Sequence, residues 1–395
     1  MVSSRAVIKF GGADLATGER TACAARLVAD ASYKEKVVVV SAMGKTTDNL
    51  VGTLNQLGGI ADEDYAEIVS MGERTSARVF CSALKAQGVK AEFIDPSGAN
   101  WPLITDSCFR DATPDEDQTR AHAQKYLEPM LADGTVAVVC GFLGRDENGR
   151  VTTLGRGGSD TTALLLANCL GADEIVLVKE TSGVLSADPK VVQNARFLDT
   201  LDIHEAFDLM QGGAKIVKPE ALRYKLPNQR LRVVSFSCLN LAEGGTEITG
   251  SFNLDSAETE TRTGLISINV ICEVNSDNLR EIFTALGDKL VYGVSSGKQS
   301  ITIFTTDGNV TSVMNRLHNI ESSKAISHRE RVAMLQISHP AFIDSPGGVA
   351  RISNALSHAG INILEVTTSK ATINVFIEED QLKNAKEAIK DAAEA

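Results

Sequence analysis

Short apolar runs alternate with longer amphipathic stretches from Val7 to Phe236. Runs rich in β-branched residues at 36–41 and 135–142 are typical of strands buried on both faces of a parallel sheet. Shorter apolar runs predict further strands at 7–10, 91–94, 174–178 and 232–236. Helical spacing predicts helices at 20–29, 63–87, 118–127 and 159–170. The pattern therefore predicts an α/β fold with a mostly parallel central sheet flanked by helices.

The pattern changes after a polar, glycine-containing stretch at 241–250, which we interpret as a linker. Residues 265–317 and 332–393 each contain short strands and helices in β-α-β-β-α order. This order is typical of ferredoxin-like domains, and two adjacent sets indicate an internal duplication. We therefore predict three domains, at 1–250, 260–328 and 329–395.

Composition excludes several classes of protein. A chain of 395 residues with 43% hydrophobic and 23% charged residues is typical of a globular protein with two or three domains. A net charge of −12 disfavours nucleic acid as a partner, and no apolar run is long enough for a membrane span. The first residues do not resemble a signal peptide. The seven cysteines are scattered and the six histidines lack metal-ligand spacing, so we expect a cytoplasmic protein without a metal site of its own.

A lysine and two glycines end the first predicted strand, in the order Lys9, Phe10, Gly11 and Gly12. Glycines leave the backbone bare, so their N–H groups can approach phosphate oxygens closely. A lysine at a strand end can neutralise charge on a phosphoryl group during its transfer. The same residues also fit a tight turn beside a surface lysine.

A second glycine-rich segment, residues 155–162, opens a predicted helix. The N-terminus of a helix favours anions, and Arg156 can hold a carboxylate through two parallel hydrogen bonds. Asp160 can bind a substrate ammonium group or orient a catalytic lysine. Ser159 and Asp160 are also candidates for the helix N-cap, so the alternative is a flexible loop with a capping side chain.

Two further segments are candidates for a binding site. Residues 41–48 follow a buried strand, where parallel sheets bind their ligands, although they also fit a solvated turn. Gly72 interrupts a predicted helix, which costs about 1 kcal/mol relative to alanine. Close approach of a ligand or tight helix packing would explain this glycine. The adjacent Glu73 is then either a site carboxylate or a surface acid.

Together these four segments resemble the aspartokinases in their order and approximate spacing. Residues 183–190 resemble the nucleotide loop of that family, and residues 213–219 resemble its later ATP-site segment. The two C-terminal sets resemble tandem ACT domains, and the second set matches better, through residues 344–348 and 359–363. The resemblance implies an amino acid kinase domain at 1–250, followed by two ferredoxin-like ACT regulatory domains.

The resemblance also implies roles for individual residues. Lys9 would stabilise the transferring γ-phosphoryl group, and Asp160 would organise the site around it. The L-aspartate site would comprise Ser41, Thr47, Glu73, Arg156 and Ser159, with Glu73 on the ammonium group and Arg156 on the α-carboxylate. The nucleotide would contact Lys9, Gly11, Gly12, Glu180, Gly183, Asp188, Lys190 and Lys215.

The implied reaction transfers phosphate from ATP to the β-carboxylate of L-aspartate, with Mg²⁺ arriving on the ATP phosphates. The product, 4-phospho-L-aspartate, would lead toward lysine, threonine and methionine. Lysine or threonine would inhibit by binding the ACT domains of a homodimer or higher homo-oligomer. The effector residues would be Asp344, Ser345, Gly347, Gly348, Asn362 and Ile363.

Several positions depart from the family pattern. Ala13 and Asp14 replace the usual Thr-Ser, and Lys179 and Glu180 replace the usual Thr-Asp. We expect Lys179 to add a cation near the base or ribose of the nucleotide. Lys218 stands where the family commonly has histidine, and residues 274–278 lack the Pro-Gly turn of an effector loop.

Two alternatives follow from these observations. One is another carboxylate or phosphate kinase of the same fold, such as an acetylglutamate or nucleotide-monophosphate kinase. The other is an amino-acid sensor that keeps the ACT domains while its kinase half has decayed. Phosphate transfer that depends on both ATP and L-aspartate would separate these readings.

Overall fold

The computed structural model describes residues 5–252, 258–306, 308, 310–339, 342, 346–369 and 371–393. The chain divides into two compact units between Phe252 and Asn253. In the described residues, no helix combines the length and the apolar character that crossing a membrane requires.

The first unit is an α/β domain. Its strands are β1 Arg5–Phe10, β2 Glu35–Val40, β3 Ala91–Ile94, β4 Val136–Cys140, β5 Leu143–Arg145, β6 Val151–Thr153, β7 Glu174–Lys179, β8 Thr200–Asp202, β9 Arg230–Ser235 and β10 Thr246–Thr249. Its α-helices are α1 Gly18–Asp30, α2 Thr46–Leu57, α3 Asp62–Ala86, α4 Glu116–His122, α5 Glu128–Ala132, α6 Gly158–Cys169 and α7 Ile203–Gln211. A π-helical turn at Ala123–Leu127 joins α4 to α5, and a 3₁₀ helix spans Pro219–Tyr224.

Eight strands form the main sheet, in the order β3-β4-β2-β1-β7-β9-β10-β8. All neighbouring strands are parallel except β9 and β10. The central strands β2, β4 and β7 are almost entirely buried, as their β-branched sequences predict. The predicted mostly parallel α/β fold is therefore confirmed. Because β1, β2 and β7 are parallel neighbours, their carboxyl ends meet at one edge of the sheet.

Two local predictions for the first unit were wrong. The predicted linker at 241–250 contains β10, which pairs with both β9 and β8 and so belongs to the first unit. The N-cap of α6 is Gly157 rather than Ser159 or Asp160. Gly157 has φ 77°, a left-handed conformation that favours glycine, and an added Cβ would lie 2.8 Å from the Lys218 side chain.

The second unit has its own elements. Its strands are β11 Glu258–Ile271, β12 Val291–Ser296, β13 Ser300–Thr306, β14 Ala325–Ser338, β15 Glu365–Ser369 and β16 Thr372–Glu378. Its α-helices are α8 Ser276–Leu286, α9 Val310–His318, α10 Gly348–His358 and α11 Leu382–Ala393, with a 3₁₀ turn at Glu379–Gln381.

One antiparallel sheet joins the two repeats of the second unit, in the order β12-β13-β11-β14-β16-β15. β11 and β14 are paired along most of their length, so each contributes to both repeats. The start of β11, at Glu258–Arg262, pairs with Ser338–Met334 and completes the second repeat. Each repeat buries its own apolar core on the helix-covered face. On the other face, Phe304 stacks on Phe376 with ring centroids 3.8 Å apart, which joins the two repeats.

Candidate active site

A cavity of about 440 Å³ lies at the carboxyl ends of β1 and β2. Eight of the predicted site residues line it: Lys9, Gly12, Ser41, Thr47, Glu73, Arg156, Ser159 and Asp160. They come from four separated segments of the chain. The sheet and the start of α6 bring them together, as expected for a ligand site in a parallel sheet.

A buried ion pair links β1 to α6. Lys9 Nζ lies 2.7 Å from Asp160 Oδ1, and both side chains are less than a tenth exposed. Burial would raise the pKa of Asp160, but the ammonium groups of Lys9 and Lys179 hold it below the ordinary value. The Lys218 backbone N–H also donates to Asp160 Oδ2 at 3.2 Å. Asp160 is therefore an ionised anchor that fixes the position of Lys9.

Glu73 is a second buried acid, on the face of α3 that points to the cavity. Its Oε1 accepts the Ala42 N–H at 3.2 Å and the Thr47 hydroxyl at 3.4 Å. Its Oε2 is buried and has no hydrogen-bond partner among the described residues. Burial raises the pKa of Glu73 to about 7, although these two donors act in the opposite direction. A cationic ligand group would satisfy Oε2 and stabilise the ionised form.

Gly72 allows α3 to pack against the loop after β2. A Cβ at this position would lie 2.8 Å from Ala42 Cβ and 3.3 Å from Thr47 Oγ1. Real Cβ atoms do not approach this closely without displacing their neighbours. Tight packing, one of the two predicted explanations, therefore accounts for the glycine in the middle of this helix.

Hydroxyl groups and a guanidinium complete the cavity wall. Ser41 Oγ and Ser159 Oγ are 3.0 Å apart, which joins the end of β2 to the start of α6. Thr47 lies in the first turn of α2, a helix that begins at Thr46 inside the loop predicted at 41–48. Arg156 is exposed at the cavity wall, in the turn before α6.

Asp14, which stands where the resemblance predicts a hydroxyl side chain, closes the first glycine turn. Asp14 is buried, and its Oδ2 accepts the Gly11 N–H at 2.9 Å. In this arrangement the Gly11 N–H, which the resemblance assigned to phosphate, is already bound within the protein. Gly12 lies against the next loop, and a Cβ there would lie 2.6 Å from the Ala42 carbonyl oxygen.

Of the predicted nucleotide residues, Lys9 and Gly12 line the cavity and the other six lie outside its lining. Gly183 is buried, and a Cβ there would lie 2.5 Å from the Phe197 ring. Glu180 pairs with Arg20, and Asp188 accepts the Lys190 N–H at 2.9 Å. Lys215 is exposed after α7. Their contacts with nucleotide stay predictions.

The structure places Lys179 and the predicted effector residues as follows. Lys179 Nζ lies 3.8 Å from Asp160 Oδ2, so this cation borders the Lys9–Asp160 pair. Asp344 and Ser345 lie outside the described residues. Gly347 and Gly348 lie at the start of α10, and Asn362 and Ile363 lie just before β15. Binding of an effector by these residues stays a prediction.

Sequence reasoning missed other residues of the cavity wall, including Tyr65, Arg110, Phe142 and Thr153. The Arg110 guanidinium lies 4.2 Å from the centroid of the Tyr65 ring. Tyr65 lies in α3, Arg110 between β3 and α4, Phe142 between β4 and β5, and Thr153 at the end of β6. Only the tertiary fold brings them to the site.

Comparisons with known proteins identify the family. Residues 4–235 match the amino acid kinase family, and residues 327–391 match an ACT domain. An aspartokinase of Bacillus sp. (strain MGA3) is 30% identical, covering 98% of this chain and 97% of its own length. One from Pseudomonas aeruginosa is 32% identical, covering 98% and 97%. The chain belongs to the aspartokinase family. The resemblance found in the sequence and the prediction of a kinase are thereby confirmed.

Solved aspartokinases share the fold. The crystal structure of an aspartate kinase from Synechocystis has a TM-score of 0.76 and 25% identity, covering 99% of this chain and 69% of that one. E. coli aspartokinase III in complex with aspartate and ADP has a TM-score of 0.57 and 21% identity, covering 98% and 99%. A second structure of that enzyme contains lysine and aspartate. At 21% identity these two structures show a common fold.

Proposed function

We propose that the chain transfers the γ-phosphoryl group of ATP to the β-carboxylate of L-aspartate, giving 4-phospho-L-aspartate. The observation that carries this proposal is that one cavity contains two buried acids with different surroundings. Asp160 is matched with lysine, whereas Glu73 keeps one carboxylate oxygen without a partner among the described residues. The relatives named aspartokinase, and the E. coli enzyme crystallised with aspartate and ADP, support this reading.

L-aspartate would bind through both ends of its amino-acid group. Glu73 Oε2 would accept its ammonium group, and Arg156 would hold its α-carboxylate through two hydrogen bonds. Ser41, Thr47 and Ser159 would supply hydroxyl groups around it. This orientation leaves the β-carboxylate directed toward Lys9.

The chemistry needs no protein nucleophile, because the substrate carboxylate attacks phosphorus itself. Positioning of the two substrates and stabilisation of the phosphoryl charge by Lys9 can supply the rate enhancement. Among the described residues, no cluster of three or more His, Cys, Asp or Glu side chains could hold a metal ion. Mg²⁺ would therefore be bound mainly by the ATP phosphates and water, and would neutralise phosphate charge.

Trapping of the acyl phosphate tests this function. Purified protein with MgATP, L-aspartate and hydroxylamine is expected to form aspartyl hydroxamate. Lys9→Ala should lower turnover by about 10²–10³-fold and weaken ATP binding far less, because the lysine charge matters most during transfer. Lys34→Ala, at an exposed site by the opposite edge of the sheet, is the matched control. Absence of hydroxamate from the folded wild type would contradict the proposal and favour another acceptor or a sensor.

Regulation by an amino-acid product is part of the proposal. The ACT match at residues 327–391 and the E. coli enzyme crystallised with lysine support an effector site in the second unit. Lysine and threonine, titrated singly into the turnover assay, should identify an inhibitor, and its binding should follow by calorimetry. If neither amino acid changes turnover or binds, lysine and threonine do not regulate the enzyme in this way. That result would leave unchanged the proposal that 4-phospho-L-aspartate leads toward lysine, threonine and methionine.

A homodimer is proposed for the same unit. β12 is an edge strand of the six-stranded sheet, and Leu290, Val291 and Val294 are large exposed apolar residues on or beside it. An exposed apolar edge strand favours pairing with another chain. Sedimentation equilibrium of the full chain should show a dimer or larger assembly, and a monomer at all concentrations would contradict this.

A further inference from the structure

Two lysine side chains converge on one buried carboxylate at the ends of the neighbouring strands β1 and β7. Lys9 Nζ lies 2.7 Å from Asp160 Oδ1, and Lys179 Nζ lies 3.8 Å from Asp160 Oδ2. One carboxylate balances the charge of only one ammonium group. With both lysines protonated, the cluster therefore carries a net positive charge.

The other two acids of this region, Asp14 and Glu180, are both directed at the Arg20 guanidinium. Asp14 accepts the Gly11 N–H at 2.9 Å and lies 3.7 Å from the Arg20 guanidinium. Glu180 also pairs with Arg20. Burial raises the pKa of Asp14, and the hydrogen bond to its Oδ2 comes from the Gly11 N–H rather than from Lys179. An uncompensated charge in a largely buried position is costly unless an anionic ligand completes the site.

We propose that Lys179 is a second cationic ligand of the phosphoryl group that ATP transfers, acting beside Lys9 across Asp160. The inference rests on the proposed function and adds a catalytic residue to it. In the step, a β-carboxylate oxygen of aspartate forms a bond to the γ-phosphorus, and the bond from that phosphorus to the bridging oxygen breaks. ADP leaves with the electron pair, and Lys179 remains an ammonium group throughout.

The protonation state of Lys179 should therefore control the reaction. Burial and the Lys9 ammonium together lower its pKa to about 8, although Asp160 and Asp14 act in the opposite direction. Lys9 in β1, Asp14 in the turn after β1 and Asp160 in α6 are the charged groups that face Lys179. A bound phosphate would raise the pKa again, because an anion stabilises the ammonium form.

Steady-state kinetics provide the first test, with Lys179→Met as the neutral variant and Lys179→Arg as the charged one. For the wild type, kcat/KM for MgATP should fall as the pH rises through about 8, because the free enzyme loses its second cation. At pH 7, Lys179→Met should lower kcat/KM by about 10²-fold and lack this alkaline limb. Lys179→Arg should move the limb to higher pH. Lys34→Met is the matched control and should behave as the wild type.

Proton uptake provides the second test, and it does not depend on aspartate. At pH 8 about half of the Lys179 side chains are protonated, and MgATP should convert nearly all of them to the charged form. Calorimetric titration of MgATP in Tris and in HEPES should show uptake of about half a proton by the wild type. Lys179→Met, with its fold checked by thermal denaturation, should show none.

The outcomes separate this inference from the proposed function. Proton uptake that Lys179→Met removes, together with no hydroxamate from aspartate, would keep Lys179 as a phosphate ligand and reject aspartate as the acceptor. Hydroxamate formation with an alkaline limb and proton uptake that persist in Lys179→Met would overturn the role of Lys179. The same holds if Lys179→Met keeps wild-type kcat/KM at pH 7.

Discussion

Glu73 illustrates how a functional residue can oppose folding. Its carboxyl group is almost fully buried, and only two donors partly compensate for the loss of water. Burial raises its pKa from 4.5 to about 7, so the folded protein binds this proton more tightly than the unfolded chain. The free energy of unfolding should therefore fall as the pH rises from 4.5 to about 7.

We expect Glu73→Gln to remove this dependence. The shift corresponds to about 3 kcal/mol, so the stability of the variant relative to the wild type should increase by up to that amount between pH 5 and pH 8. Urea unfolding at a series of pH values measures it, with the exposed Glu19→Gln as control. The same variant should raise the aspartate KM, because a neutral amide binds an ammonium group poorly. A stability difference that does not change with pH would mean that Glu73 is not buried as an acid.

The sequence identified the charged residues of the site that stand close to glycines. Lys9, Glu73 and Asp160 stand beside glycines whose positions suggest a ligand, and the structure brings all three to one cavity. The position of Lys179 could not be inferred, because it depends on β7 pairing with β1 across a long stretch of chain. Tyr65 and Arg110 were missed because they too reach the cavity only through contacts between distant parts of the chain.

Single elements differ in how clearly sequence specifies them. β2 and β4 are rich in β-branched residues and were predicted within two residues at each end. α2 was not predicted, although Leu50, Val51, Leu54 and Leu57 have helical spacing, and in the structure only Leu54 of this helix is buried. β10 was missed because it is four residues long and follows a glycine turn. Short elements that bury little apolar surface leave little pattern in the sequence.

The contact between α3 and the loop after β2 predicts opposite effects for two similar substitutions. Alanine is the better helix former by about 1 kcal/mol, so Gly52→Ala in α2, which has open space around it, should stabilise the protein by up to that amount. Gly72→Ala should destabilise it, because its Cβ would collide with Ala42.

The effect on substrate binding distinguishes these two variants further. Displacing Ala42 and Thr47 would disturb both donors to Glu73, so Gly72→Ala should raise the aspartate KM while Gly52→Ala leaves it unchanged. Thermal denaturation and steady-state kinetics measure the pair. Equal stabilisation by both alanines would show that α3 does not pack tightly against this loop.

On the scale of the whole molecule, sequence predicted a repeated C-terminal half but not how its repeats are joined. The predicted boundaries at 260 and 328 fall inside β11 and β14, the two 14-residue strands of the shared sheet. Pairing of residues 258–262 with 334–338 is a contact between distant parts of the chain. Alternation of apolar residues indicates each strand, but it does not say which strands become neighbours.

A shared sheet should make the two repeats unfold together. Ile337 is fully buried in the core of the second repeat, and Ile303 is fully buried in that of the first. Truncation of either to alanine should cost about 2–5 kcal/mol. If β11 and β14 transmit this loss, amides of β13 and β16 should lose hydrogen-exchange protection by a similar factor in both variants. Loss of protection confined to the mutated repeat would mean that each repeat opens independently, and an effector bound to one repeat would then have no route through the sheet to the other.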